Sequence, residues 1–302
     1  MSAAPLRRVT KAPARLPAEP RGLVVGVRLD GASALALKRG FELARVTMSG
    51  LTVAYVLPLT PRGSKPSEGW VRDVMSRRAR EGVARAAVQR WALKELGVAI
   101  PEDSLLIRFG EPAEELARAA TALDAWVVII GGRPYATSAG PGQTTRGIVA
   151  RTACAVFVSG MARAGAGMVA ATDMGTHSLP VLAVASALAE QLGRRVSVVH
   201  NVDGVVMHGA RYPLPAGIRE QVLGARLDRL SDVVRRDARV DDARVMHERD
   251  AATAILRAAR TDDADLIVLG RRSAPGRTIR RVLADARRSV LVVPVSQRDL
   301  QQ

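Results

Sequence analysis

One stretch of this chain decides what it can fold into. Between Asp124 and Ser159 a continuous apolar run, Trp126 to Ile130, stops at Gly131-Gly132 and gives way to a loop of Gly, Ser, Thr and Pro. A short helix is predicted from about Thr144, and a second apolar run, Ala155 to Val158, closes the unit. A strand without polar alternation is one buried on both faces, as in a parallel sheet covered by helices. A glycine-rich loop leading from such a strand into a helix presents free backbone N–H groups and the positive end of a dipole, which is the chemistry of a phosphate site.

The stretch recurs in altered form from Asp263 to Val293. Ser33, Leu37, Leu43-Ala44 and Tyr55 match Ser178, Leu182, Leu188-Ala189 and His200 at a constant offset of 145. Gly131 then matches Gly270 at 139, and Gly142 and Val156 match Gly276 and Val290 at 134. A register that is constant apart from two stepwise deletions indicates one domain copied in tandem. The expected boundaries are a basic tail over 1–21, a first domain over 22–159, a Gly/Ala-rich linker over 160–167, a second domain over 168–296 and a tail over 297–302.

Each copy reads β-α-β-α-β-α-β-α-β. In the first, strands are predicted at Gly22–Leu29, Leu51–Leu57, Leu105–Phe109, Trp126–Ile130 and Ala155–Val158. Helices are predicted at Ser33–Val46 with Gly50 as its stop, at Val71–Leu96, at Pro112–Leu123 and from about Thr144. In the second, strands are predicted at Met168–Thr172, Val196–Val202, Ala243–Glu248, Leu266–Leu269 and Ser289–Val293. Ser178 is the expected cap of a helix ending at Gly193, and further helices fall at Ala216–Arg236 and Ala251–Thr261. The order argues for an α/β fold: two tandem open five-stranded, mostly parallel sheets with helices on both faces.

A chain of 302 residues, 48% apolar, has material for two cores, and with aromatics at only 3% these must be built from Ala, Val, Leu and Ile. No apolar run approaches the ~20 residues that cross a bilayer, so no membrane contact is expected. The basic N-terminus has no apolar signal core behind it, and the single cysteine, Cys154, excludes an internal disulfide framework; both point to the cytoplasm. An excess of 45 Lys and Arg over 29 Asp and Glu, a formal charge of +16, favours an anionic partner or a set of solvated arginine faces. No basic block is interleaved with aromatics, so nucleic acid is not the expected partner.

Catalysis has no support among the motifs. There is no nucleophile elbow, no Walker loop and no pair of histidines at zinc spacing. His177, His200, His208 and His247 read as structural, and Cys154 as a small buried residue; no catalytic or metal-ligating residue is assigned.

The residues resemble the universal stress protein family in its tandem two-domain form. The resemblance runs from Gly22 to Val295 and is clearest in D-M-G-T-H-S-L-P-V-L-A-V-A-S-A-L-A, from Asp173, and in G-Q-T-T-R-G-I-V-A-R-T-A-C-A-V-F-V, from Gly142. It implies a Rossmann-like, adenine-nucleotide alpha hydrolase-like domain and a regulatory or protective stress-response role. It also implies a pseudo-dimer joined through the last strand of each domain. In some members it implies ATP held by an aspartate ending the first strand and a loop G-x2-G-x9-G-[ST].

Both copies depart from that pattern. In the first, Arg28 stands where the aspartate belongs, with Asp30 two residues on. The loop from Gly131 to Gly142, followed by Gln143 and Thr144, is two residues shorter than the family spacing yet has room for a phosphate chain. In the second, Asp173 is in place, but the loop from Gly270 to Gly276 is seven residues short. The candidate cofactor-binding residues are therefore Gly131, Gly132, Gly142, Gln143 and Thr144 in domain 1 and Asp173 in domain 2. Any ATP or other adenine nucleotide is expected in domain 1, held more weakly than by a full motif. The bland readings beside these are an inherited turn now idle and, for Asp173, a turn-forming carboxylate. The alternative function is a scaffold that takes a protein partner or a polyanion on arginine-rich faces such as Arg271, Arg272, Arg277, Arg280 and Arg281.

Overall fold

The computed structural model describes residues 21–59, 77–132, 142–160, 165, 167–175, 178–202, 205–207, 210–212, 214–234, 240–272 and 274–295. The expected tail over 1–21, apart from Arg21, and the expected tail over 297–302 lie outside these residues. So do most of the expected linker, the start of the second helix, His177 and His208.

The first half runs β1 (Leu23–Val27), α1 (Gly31–Thr47), β2 (Leu51–Leu57), α2 (Arg77–Leu96), β3 (Leu105–Phe109), α3 (Pro112–Ala122), β4 (Val127–Gly131), α4 (Gln143–Arg151) and β5 (Ala155–Ser159). The second half runs β6 (Gly167–Ala171), α5 (Leu179–Leu192), β7 (Arg195–Asn201), a hairpin of β8 (Val205–Met207) and β9 (Ala210–Tyr212), and α6 (Ala216–Val234). It ends with β10 (Asp242–Met246), α7 (Ala251–Thr261), β11 (Ala264–Arg271), α8 (Arg277–Asp285) and β12 (Ser289–Pro294). The hairpin was not foreseen in the sequence.

The two expected five-stranded sheets are joined edge to edge. Ten strands form one sheet in the order β10-β7-β6-β11-β12-β5-β4-β1-β2-β3. All its pairings are parallel except β12 with β5. Each half keeps the same internal order, reflected about that seam, so a continuous sheet is what pairing the last strands of two copies produces. The seam pairs Val290 with Val158, Leu291 with Phe157 and Val292 with Val156. Exchanging the halves at their offset of 134 maps the first pair onto the third and the middle pair onto itself. The pseudo-two-fold axis therefore passes through Phe157 and Leu291. Pairing here covers two sheet edges that would otherwise present a row of open backbone groups.

Side chains alternate across the strands into two apolar layers, each spanning both halves. Leu23, Val25 and Val27 of β1 face the layer under α1, α2, α5 and α6, and Val24 faces the layer under α3, α4, α7 and α8. Local chemistry sets the helix ends. Asp30 accepts the Ser33 N–H at 2.8 Å at the start of α1, and Asp250 accepts the Thr253 N–H at 2.9 Å at the start of α7. Pro112 opens α3 behind Glu111, where a missing N–H costs nothing.

Two expected caps are corrected. Helix α1 stops at Met48 in the left-handed conformation (φ 49°), before Gly50 is reached. Ser178 has helical dihedrals and makes no side-chain capping bond; its hydroxyl is committed to Asp173.

The backbone carries the duplication more sharply than the side chains do. Five described non-glycine residues have positive φ, and each has a positive-φ counterpart: Leu29 with Met174, Asp124 with Asp263, and Met48 with Gly193. Left-handed backbone is costly for a residue with a Cβ, so its recurrence at matched positions reflects shared geometry.

Candidate functional site

In an open parallel sheet the crevice for a ligand lies beyond the carboxyl ends of the strands, where the strand order reverses. In the second half that point lies between β6 and β11, and the structure has a cavity of about 200 Å³ there. Its floor is apolar, from Val199, Ile255, Leu269 and Ile279. Its rim includes Asp173, Arg272 and Thr278. Thr278 lies in the first turn of α8, and the N-cap of that helix, Gly276, has no side chain to satisfy the first backbone N–H groups. Those donors and the dipole favour an anion at the mouth.

Asp173 is placed by the backbone after β6. Its Oδ1 accepts the Gly175 N–H at 2.9 Å and the Ser178 hydroxyl at 2.8 Å, and its Oδ2 accepts Arg272 Nη2 at 2.6 Å. The Ser178 Oγ in turn accepts the Asp173 N–H at 3.2 Å. Partial burial works against ionisation of this carboxyl. The bonds from Ser178 and Gly175 and the charge of Arg272 outweigh it and hold the pKa below the usual carboxylate value. The turn formed by Asp173 and its place on the rim of the cavity are thus both features of one geometry.

The equivalent turn in the first half is built differently. Asp30 Oδ1 accepts the Ser33 hydroxyl at 2.7 Å and the Ser33 N–H, and Oδ2 accepts Arg28 Nη2 at 2.7 Å. Burial again opposes ionisation, and the Ser33 bonds and Arg28 again overcome it, so the Asp30 pKa is lowered too. Arg28, exposed at the end of β1, holds the place that Asp173 holds in the second half.

Of the domain 1 loop residues, Gly131 ends β4, Gly132 follows it, and Gly142, Gln143 and Thr144 form the start of α4; residues 133–141 lie outside the described ones. A Cβ on Gly131 would meet the Ala32 backbone at 2.7 Å, and one on Gly132 would meet the Ser159 carbonyl at 2.6 Å. Close packing therefore requires glycine at both places with or without a ligand. Gly142, like Gly276, starts its helix without a side-chain cap.

The family model for universal stress proteins matches residues 21–159 and, again, 168–294. The chain belongs to the universal stress protein family. It is similar to a universal stress protein from Archaeoglobus fulgidus DSM 4304, with 15% identity over 92% of this chain and 97% of that chain and a TM-score of 0.63. It is also similar to a functionally unknown protein from Pseudomonas aeruginosa PAO1, with 17% identity over 93% of this chain and 95% of that chain and a TM-score of 0.60. At these identities the likeness concerns the fold. A universal stress protein from Archaeoglobus fulgidus in complex with dAMP matches 42% of this chain and 96% of its own, at 23% identity and a TM-score of 0.33. No curated protein matches the chain.

The universal stress fold here also holds charges that the sequence did not single out. Asp265, buried in β11, pairs with Arg194 and, at 3.2 Å, with Arg39 on α1 of the other half; Glu42 completes the cluster. The signal was a second acid inside D-A-D-L, at the start of an apolar strand. Arg271 is buried and donates from Nη2 to the Thr152 carbonyl at the end of α4, 2.6 Å away, so it ties domain 2 to domain 1. Beside it, burial pushes the Cys154 thiol up to about 11, which keeps it protonated and unreactive. His200 and His247 bond to backbone carbonyls of Thr172 and Val202, as structural histidines do. Among the described residues no group of His, Cys, Asp or Glu could hold a metal ion, and no helix is long and apolar enough to cross a membrane.

Proposed function

We propose that this universal stress protein acts by binding rather than turnover, in a regulatory or protective role in the cytosol, and that its ligand is an adenine nucleotide held in the domain 2 cavity. The observation that carries this is the position of Asp173. Its carboxylate, at the place of the family's ATP-binding aspartate, lies on the rim of an apolar crevice at the switch point, across from an uncapped helix N-terminus. An apolar floor suits a base, a carboxylate suits a sugar hydroxyl or an exocyclic amine, and open N–H groups suit a phosphate. The sequence favoured domain 1, whose loop is longer. Domain 1 enters this proposal as a weaker, phosphate-only contact at Gly142 and Thr144, because Arg28 can donate but cannot accept a hydrogen bond from the nucleoside.

Calorimetric titration with AMP and with Mg²⁺-ATP tests the assignment. Asp173→Asn is expected to weaken binding by about tenfold or more, the scale of a lost charge-assisted hydrogen bond. Gly142→Glu is expected to leave the main binding event in place. Loss of binding in Gly142→Glu alone would move the site to domain 1.

A second reading has its own observation. Arg277, Arg280 and Arg287 are exposed and make no ion pair with another described residue, a basic face suited to a polyanion or an acidic protein. Salt-sensitive retention on heparin, lost in a triple alanine variant, is its expected mark.

A further inference from the structure

We infer that Arg272 selects the ligand of the domain 2 cavity, favouring a single anionic group over a neutral ligand and over a triphosphate; the inference rests on the nucleotide reading above. The fold already occupies Oδ1 of Asp173, through the Ser178 hydroxyl and the Gly175 N–H. Oδ2 points outward, and Arg272 takes it. A ligand donor that approaches Asp173 therefore meets Oδ2 beside Arg272, and a base or ribose seated there shifts the guanidinium aside.

The cost of that displacement depends on what the ligand offers in return. A neutral nucleoside replaces a charge-assisted bond with a weaker hydroxyl or amine bond and leaves the guanidinium with water alone. A ligand carrying one phosphate gives the displaced guanidinium a new anion, so one ion pair is exchanged for another and the hydrogen bond to Oδ2 is added. Arg272 is 60% exposed at its side chain and, among the described residues, is held by this one carboxylate, so it is free to make the exchange. Its neighbour Arg271 is committed to Thr152 on the domain 1 side.

The same geometry limits the number of phosphates. A cavity of about 150 Å³ is enough to take benzene, so one of about 200 Å³ has room for a bicyclic base. The loop from Gly270 to Gly276 then brings Arg272 and the start of α8 directly to the mouth. One phosphate meets a guanidinium and a helix N-terminus there; a second and a third pass beyond the short loop into solvent.

The test is titration of the full chain and of Arg272→Ala with adenosine, AMP and Mg²⁺-ATP, with Arg260→Ala, at the exposed far end of α7, as a control for general loss of charge. The parent is expected to bind AMP about tenfold more tightly than adenosine and ATP no more tightly than AMP. In Arg272→Ala, adenosine is expected to tighten and AMP to weaken until the two agree within about twofold, while Arg260→Ala keeps the parent's ratio. Binding of all three with an unchanged AMP-to-adenosine ratio in Arg272→Ala overturns this inference and leaves the nucleotide reading standing. ATP binding tenfold tighter than AMP overturns it as well. Absence of binding by all three to the parent removes the nucleotide reading and this inference with it.

Discussion

The two turns that follow the first strand of each half link a serine hydroxyl, a carboxylate and a guanidinium in the same way but draw them from different positions. In domain 1 the carboxylate is Asp30, and the guanidinium, Arg28, comes from the strand end. In domain 2 the carboxylate is Asp173 at the strand end, and the guanidinium, Arg272, comes from the loop after β11. The backbone beneath is held in common, down to the left-handed residue directly after the strand-end side chain, Leu29 after Arg28 or Met174 after Asp173. What the fold requires is a partner for the buried serine. Where that partner is placed decides whether a carboxylate faces the crevice, and so the two halves can be equally stable and unequally suited to a ligand.

The halves also differ at their junction, and this difference can be broken most forcefully. Asp265→Ala leaves Arg194 and Arg39 to share Glu42 alone on one side of the pseudo-axis and is expected to cost up to about 3–5 kcal/mol in denaturant unfolding, the range for one partner removed from a buried ion pair. The position that mirrors Asp265 is Trp126, in an apolar layer with Val184 and Ala187, the counterparts of Arg39 and Glu42. A cost below 1 kcal/mol would mean that the charged cluster adds nothing to the cohesion of the halves. At the axis itself, Phe157→Leu makes the central pair symmetric. Both side chains there are buried, and a near-volume-conserving exchange is expected to cost about 1–1.5 kcal/mol. A gain in stability would show that the asymmetry is a burden on the seam.

Ser33→Ala and Ser178→Ala probe the two turns directly. Each removes a buried hydroxyl and strands a backbone N–H, that of Arg28 or Asp173, and each is expected to cost about 1–2 kcal/mol. Markedly unequal costs would end the equivalence of the two chains of contacts. The smallest effect is in pH. Both carboxyls titrate below their unfolded value of about 3.9, so their contribution is present above that value and is lost as pH falls through the folded pKa. Asp30→Asn and Asp173→Asn should each flatten the acid limb of a stability profile below about pH 4, by similar amounts.

Periodic apolar positions and the repeat made most of the fold legible. Strands β2 and β3 and helix α7 fall where the sequence placed them, and α3 maps onto α7, and α4 onto α8, at the offsets read from single residues. Local signals misled where a nearer contact won. Met48 accepts left-handed backbone ahead of the glycine that was expected to stop α1, and the Ser178 hydroxyl turns to Asp173 in place of the helix end. The cluster around Asp265 was hidden because Arg39 is 226 residues away, and a single acid in a strand gives no hint of its partner. Asp173 and Arg272 were named, but their grouping could not be: that they rim one cavity with Thr278, which the sequence did not single out, follows from β6 and β11 lying side by side.

The axis through Phe157 and Leu291 has a consequence for how such a molecule can change. In a dimer of identical chains, a substitution near the two-fold appears twice and confronts its own image, so an acid introduced there faces a second acid. Covalent fusion removes that echo. Asp265 can stand on one flank and Trp126 on the other because a codon altered in one half leaves its opposite number untouched, which is the freedom that lets a shared scaffold hold two dissimilar tasks.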